Sequence, residues 1–105
     1  MLNSNQNNEF ISEAQYVKSE LESDVKREYV AGQVFAMAGA SLNHNKITAN
    51  INRLFGNHLQ GSPCYPCSSD LRLRTASGSH RYPDVVVICD DDIIDNATRT
   101  PEIIV

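Results

Sequence analysis

The alternation of apolar and polar residues predicts a helix and then a β-hairpin in the first third of the chain. Apolar residues recur at helical spacing over residues 12–23, and Ser12 and Gln15 have the spacing of a capping box. Two short β-type runs follow at 28–30 and 33–37, separated by two residues that include a glycine. Such runs around a two-residue connection are typical of a hairpin.

A longer amphipathic helix is predicted in the middle of the chain. Ser41 or Asn43 can cap its N-terminus, and Gly61 followed by Pro63 ends it. Five apolar residues fall on one stripe of this helix: Ile47, Ile51, Leu54, Phe55 and Leu59.

Three further strands are predicted in the last third. Side chains over residues 64–75 alternate between apolar or small and charged types, which places an aspartate and two arginines on one face of a strand. Residues 82–89 are apolar on both faces, as in the central strand of a sheet. A run of Ile-Ile-Val begins another strand within residues 102–105.

These elements predict an α/β fold, a mixed sheet flanked by helices, in one domain over residues 11–105. Residues 1–10 are polar and Asn-rich, so we expect them to be disordered, and they lack the pattern of a signal peptide. No apolar run approaches the roughly 20 residues of a membrane-spanning helix, which favours a cytoplasmic protein. Because the last residues belong to an apolar strand, we expect the domain to be incomplete at its C-terminus.

The formal net charge of -4 hides an uneven distribution. Residues 29–83 contain five Lys or Arg residues against one Asp, a net charge of +4, whereas the segments before and after carry -3 and -5. A positive middle segment can face a phosphate backbone. An unevenly charged, solvated surface explains the same pattern equally well.

The odd number of cysteines argues against a closed disulfide framework. Cys64 and Cys67 form a lone C-x-x-C, and a zinc site would need further ligands from Cys89, His58 or His80. None of these repeats the paired spacing. Ordinary, half-buried cysteines are therefore favoured over a zinc or redox role.

Asp84 is the residue whose position most suggests chemistry. It follows Pro83 at the start of the strand that is apolar on both faces. An ionised carboxylate is costly there unless it is paired or binds a metal. The pattern alone leaves two interpretations, a metal ligand or an aspartate that bonds to nearby backbone.

Four segments, in order and at similar spacing, resemble one known family. They are Glu28 to Gly39, Ser41 to Ile47, Ser69 to Arg74 and Tyr82 to Val87. The family is Uma2, bacterial proteins assigned to the restriction endonucleases of the PD-(D/E)XK superfamily. The resemblance implies a restriction-endonuclease-like fold and metal-dependent hydrolysis of phosphodiester bonds in DNA.

The resemblance also implies a site. Asp84 corresponds to the PD aspartate, which holds a divalent cation, Mg²⁺ or Mn²⁺, together with a second carboxylate. Glu28 matches a family glutamate that can serve as a second catalytic and metal-binding carboxylate, unless it only pairs with Lys26 or Arg27. Five residues of the matched segments are expected to contact or orient the substrate: His44, Lys46, Asp70, Arg72 and Arg74. An alternative interpretation explains His44 equally well: it is a histidine at the start of a helix whose polar atoms are satisfied by neighbouring groups and which has no role towards a substrate.

In the family, the strand that corresponds to residues 103–105 continues to a second motif glutamate and then a lysine. Glu102 lies too early to be that glutamate, so we expect little or no nuclease activity from this chain alone. One alternative is a catalytically dead module that binds nucleic acid or protein, and a weaker one is a small metal domain using Cys64, Cys67 and a histidine. An incomplete sheet also exposes an edge, which makes a homodimer plausible.

Overall fold

The computed structural model describes residues 10–37, 39, 41–89 and 93–105. The predicted disorder of residues 1–10 therefore lies outside the described residues, apart from Phe10. The two helices of the described chain are α1 (Glu13–Leu21) and α2 (Leu42–His58). The strands are β1 (Arg27–Val30), β2 (Gln33–Ala36), β3 (Cys64–Ser68), β4 (Arg72–Arg74), β5 (His80–Arg81), β6 (Val85–Cys89), β7 (Ile93–Ile94), β8 (Ala97–Thr98) and β9 (Ile103–Ile104). Neither described helix is long and apolar enough to cross a membrane.

The described strands form two sheets. The first has the order β2-β1-β5-β4-β8-β7 and is mixed, because β4 and β8 run parallel while its other neighbours run antiparallel. The second has the order β3-β6-β9 and is antiparallel. The predicted α/β class, with a mixed sheet flanked by helices, is confirmed. The expectation of one sheet is wrong, because the strands are divided between two.

The division arises within the segment 64–75, which was predicted to be a single strand. The backbone N–H of Leu71 donates to the carbonyl of Ser68 at 3.2 Å, so the chain turns between β3 and β4. Ser69 and Asp70, at the centre of this turn, are residue types that favour turns over strands. The two halves of the segment therefore enter different sheets.

Helix α1 and the hairpin form as predicted. The Ser12 hydroxyl accepts from the Gln15 backbone N–H at 3.1 Å, and the Gln15 side chain accepts from the Ser12 N–H at 2.8 Å. At the hairpin turn, Ala31 and Gly32 have φ values of 52° and 82°. Two successive positive φ values are typical of the type I′ turn, whose twist matches that of the paired strands.

One part of the core lies between α1 and the mixed sheet. Tyr16 is fully buried, and its ring stacks on Tyr29 with centroids 5.1 Å apart. His80 from β5 packs against both rings, at 5.0 Å and 6.0 Å. The Tyr16 hydroxyl donates to the carbonyl of Arg27 at 2.6 Å, so this aromatic cluster also satisfies its polar atoms.

The other part of the core is β6, which lies between β3 and β9. Its residues 85–88 are buried, which confirms the predicted central strand. Helix α2 packs on β3 and β6 but leaves much of its apolar stripe in solvent. Ile47 and Leu54 are 59% and 60% exposed. The predicted stripe therefore contacts the sheet over only part of its width.

A disulfide joins Cys64 and Cys89, which are register partners of β3 and β6 with Cα atoms 4.1 Å apart. The prediction of ordinary cysteines is wrong for this pair, because an odd cysteine count does not prevent one disulfide. The weaker alternative, a small metal domain using Cys64, Cys67 and a histidine, is also contradicted, because the sulfur of Cys64 belongs to the disulfide and cannot bind a metal as a thiolate.

Candidate active site

The structure brings together Asp84 and His44, which are forty residues apart in the sequence. Asp84 directly precedes the buried strand β6, and His44 lies in the first turn of α2, which packs on that strand. The His44 backbone N–H donates to the capping hydroxyl of Ser41 at 3.1 Å, which fixes this turn. Nε2 of His44 and Oδ1 of Asp84 are 3.0 Å apart. Both side chains are 46% exposed, so the pair is open to a ligand.

The pair lies on the wall of an open cavity of about 790 Å³. Four parts of the chain form this wall: the segment 24–26 before β1, the end of the hairpin, the first turns of α2 and the turn after β3. Ser41, Asn45, Thr48 and Ser69 add polar side chains to it. The cavity is therefore suited to a polar ligand.

Lys26 is a cation of this cavity that the sequence did not single out. Its Nζ donates to the carbonyl of Ser69 at 3.2 Å and to the Asp70 carboxylate at 3.1 Å. In the sequence, Lys26 lies two residues before Glu28, and this proximity could have suggested that it belongs to the site. It was considered only as a possible partner of that glutamate. The contacts hold a positive charge at the same cavity as Asp84.

Glu28 has partners of its own. Its carboxylate accepts from the backbone N–H of Tyr82 at 3.5 Å and lies 3.6 Å from Nη1 of Arg81. The expected alternative of pairing with Lys26 or Arg27 is wrong, because those cations pair with Asp70 and Glu20 respectively. Glu28 is not among the described residues that line the cavity. Its role as a second metal ligand stays a prediction.

The expected substrate-binding residues occupy different environments. Arg72 is only 3% exposed, and its guanidinium donates to Nδ1 of His80 at 3.2 Å and to the Asp95 carbonyl at 2.6 Å. Because Arg72 is buried in the fold, it is not placed to make the expected contact with the substrate. Arg74 donates two hydrogen bonds to the Glu13 carboxylate. Lys46 is exposed on α2.

Asp70 was also expected to contact or orient the substrate. Its side chain is 88% exposed and bonds to Lys26 at the edge of the cavity. It therefore holds the cavity's lysine, while its expected role towards the substrate stays a prediction.

The titratable groups with shifted pKa values belong to the fold. The Arg74 hydrogen bond lowers the pKa of Glu13 to about 2. Burial lowers the pKa of His80, against the opposing hydrogen bond to Glu13. Burial, followed by the hydrogen bond to Glu20, raises the pKa of Tyr82 to about 12. None of these groups lines the described cavity wall, so the shifts do not mark it as a site.

A metal at this site would find few protein donors in the described chain. The described residues contain no group of three or more His, Cys, Asp or Glu side chains that could hold an ion. Structural zinc sites have four such ligands, whereas Mg²⁺ keeps several waters and is bound through only one or two carboxylates. Asp24 and Asp84 are the carboxylates on the described cavity wall, so this wall can offer carboxylate oxygen to such an ion.

Comparison with known proteins supplies the context for this geometry. The sequence model of the Uma2 family, described as "Putative restriction endonuclease", matches residues 13–105. Two uncharacterised proteins of Synechocystis sp. (strain ATCC 27184 / PCC 6803 / Kazusa) are similar to the chain. The protein slr1290 is 38% identical over 81 residues, which are 76% of this chain and 43% of that protein. The protein sll1609 is 37% identical over 82 residues, 77% of this chain and 46% of that protein.

The fold is also similar to a solved structure, that of "a putative nuclease belonging to DUF820" from Anabaena variabilis ATCC 29413. The TM-score is 0.65 over 75% of this chain and 43% of the other, at 16% sequence identity. At that identity the likeness shows the fold alone. The chain spans about half the length of the curated relatives that it matches.

Proposed function

The chain belongs to the Uma2 family, and from that premise we propose that it carries the Asp84 part of a metal-dependent endonuclease that hydrolyses phosphodiester bonds in DNA. The observation that carries the proposal is the pairing of Asp84 with His44 at 3.0 Å on the wall of an open, polar cavity. The fold supports it, because the structural neighbour described as a putative nuclease is similar in fold over 75% of this chain.

Each residue of the cavity has a part in this proposal. Asp84 is a ligand of Mg²⁺ or Mn²⁺, and such a cation supplies a polarised phosphate and a more acidic water when it is bound. Lys26 offers a positive charge to a phosphate group, and Ser69 and Asp70 hold its ammonium group in place. His44 orients the Asp84 carboxylate.

A cleavage assay with the purified chain tests the proposal. Because this chain does not include the second motif glutamate or the lysine, we expect at most weak nicking of supercoiled plasmid DNA with Mg²⁺ or Mn²⁺, and none with a chelator. Asp84→Asn should abolish this weak nicking, because it removes the proposed metal ligand. Circular dichroism checks that the variant is folded. Cleavage that is equal in the wild type and in Asp84→Asn would contradict the proposal and indicate a contaminant.

The second candidate is a module that binds nucleic acid without cleaving it. It is favoured by the absence, among the described residues, of a third metal-binding side chain beside Asp84. Lys46 and Arg53 are exposed and lie seven residues apart on α2, so they share one face of the helix. The other arginines of the positive segment have partners within the protein: Arg72 with His80, Arg74 with Glu13 and Arg81 with Glu28.

Salt dependence of DNA binding tests this candidate. The affinity should fall steeply with salt, and the double variant Lys46→Ala/Arg53→Ala should reduce the log–log slope by about 2, one for each lost phosphate contact. Lys18→Ala is the matched control, because Lys18 is exposed on α1 instead. Binding without cleavage in the presence of metal would select this candidate over the nuclease.

A further inference from the structure

We infer that the disulfide between Cys64 and Cys89 is a redox-sensitive site, and that its reduction loosens the part of the cavity that holds Lys26. The partner of this site is a dithiol reductant. The loosened part belongs to the cavity of the proposed function, on which the inference therefore rests.

The disulfide lies at one end of a pair of strands whose other end reaches the cavity. In the antiparallel pair of β3 and β6, Cys64 faces Cys89 at the first register position and Ser68 faces Val85 at the last. Four residues of strand separate the two positions, which is about 13 Å. The disulfide therefore fixes the register of the pair from the end that is remote from the cavity.

The last register position leads directly into two walls of the cavity. Asp84 precedes Val85 of β6, and the turn that follows β3 contains Ser69 and Asp70. This turn binds Nζ of Lys26, which donates to the Ser69 carbonyl at 3.2 Å and to the Asp70 carboxylate at 3.1 Å. The register of β3 on β6 therefore helps to set the position of the ammonium group relative to the Asp84 carboxylate.

Few contacts hold β3 apart from the disulfide, its pairing with β6 and the packing of α2. It is an edge strand of the described sheet, and none of its five residues is fully buried. Pro66 at its centre has no N–H to donate. Residues 85–88 of β6, by contrast, are buried. Loss of the disulfide should therefore move β3 and the turn that follows it, while β6 stays in place.

The disulfide is open to exchange, because both cysteines are partly exposed. A thiolate of the reductant attacks one sulfur, the S–S bond breaks, and the other protein sulfur leaves as a thiolate and takes up a proton. The second thiol of the reductant loses its proton and attacks the mixed disulfide, which releases the first protein sulfur as a thiol. The protein gains two electrons and two protons, and the reductant becomes a disulfide.

Amine labelling of the 105-residue chain tests the inference without DNA or metal. Oxidised protein, and protein reduced with dithiothreitol and freed of it, react with an N-hydroxysuccinimide ester, and mass spectrometry gives the rate at each lysine. We expect the rate at Lys26 to rise about 2- to 5-fold on reduction, the range for losing one ion pair between exposed groups. Lys18 is the internal control, because it is exposed on α1, and its rate should stay constant. Circular dichroism checks that both forms are folded.

Two variants show whether the disulfide causes the change. Cys64→Ser/Cys89→Ser should give the higher Lys26 rate with or without reductant. Cys67→Ser is the matched control and should respond as the wild type does, because Cys67 lies outside the disulfide. If the double variant does not fold, the reduced wild type carries the test, and its reoxidation should restore the lower rate.

An equal Lys26 rate in the two forms, or unfolding of the wild type on reduction, would overturn the inference and leave the proposed function standing. Affinity for a short DNA duplex separates the two further. It should fall about 2- to 5-fold on reduction, because Lys26 then no longer holds its charge in place for a phosphate. A redox-dependent Lys26 rate with unchanged DNA affinity would support the inference and contradict the phosphate-binding role proposed for Lys26.

Discussion

At the scale of single residues, Glu20 connects α1 to the region that presents Asp84. The residue is 7% exposed, and its carboxylate accepts from the backbone N–H and Nε of Arg27, each at 3.0 Å, and from the Tyr82 hydroxyl. Tyr82 lies two residues before Asp84. A buried carboxylate is stable only when such donors satisfy it, so this cluster both stabilises the fold and sets the position of the site.

Tyr82→Phe should therefore lower the free energy of unfolding by about 1.5–3 kcal/mol, because it removes one hydrogen bond to a buried charge. Urea denaturation measures the change. Tyr65→Phe is the control, since Tyr65 is 53% exposed, and its effect should stay within about 0.5 kcal/mol. Equal effects of the two variants would contradict the assigned role of the Tyr82 hydroxyl.

Acid should destabilise the fold in two steps. The pKa of His80 is lowered by burial, so the unfolded state binds more protons and stability falls as the pH drops below about 6.5. The pKa of Glu13 is lowered from 4.5 to about 2 by the Arg74 hydrogen bond, so its contribution is present above pH 4.5 and is lost as the pH falls towards 2. Urea midpoints between pH 7.5 and 3 measure both steps. His58→Gln should leave the curve unchanged, whereas a midpoint that stays constant below pH 6.5 would contradict the first step.

At the scale of elements, the sequence predicted those that carry their own local signal. The capping box of α1, the positive-φ turn of the hairpin and the apolar strand β6 were all predictable for this reason. By contrast, the alternation of side chains over residues 64–75 predicted a single strand, and it does not reveal that the chain passes from one sheet to the other there. In the site, Asp84 and His44 were found through motifs, whereas Lys26 and Glu20 depend on contacts with distant segments that no local pattern encodes.

The disulfide between β3 and β6 stabilises the fold by joining two elements. It closes a loop of 25 residues, so Cys64→Ala/Cys89→Ala should lower the free energy of unfolding by about 3 kcal/mol. Reductant should reproduce this loss in the wild type and leave the double variant unaffected. If mass spectrometry finds both thiols free in the purified protein, the prediction fails.

At the scale of the whole molecule, large apolar side chains remain in solvent on α2 and β9. Ile47 and Leu54 are more than half exposed, as is Ile104 at 55%. Apolar surface of this kind promotes association. We expect concentration-dependent self-association in analytical ultracentrifugation, and Leu54→Glu should weaken it. Lys18→Glu, on the exposed face of α1, should leave the association unchanged; a wild type that stays monomeric throughout would contradict the prediction.

The interleaving of the two sheets along the chain affects how the protein is made. The mixed sheet takes its strands from residues 27–36, 72–81 and 93–98, and the second sheet takes its strands from 64–68, 85–89 and 103–104. A nascent chain on the ribosome therefore cannot finish either sheet early, because each still waits for strands near the end of this sequence. The apolar residues of β6 emerge before their last partner strand does, and such surface attracts chaperones.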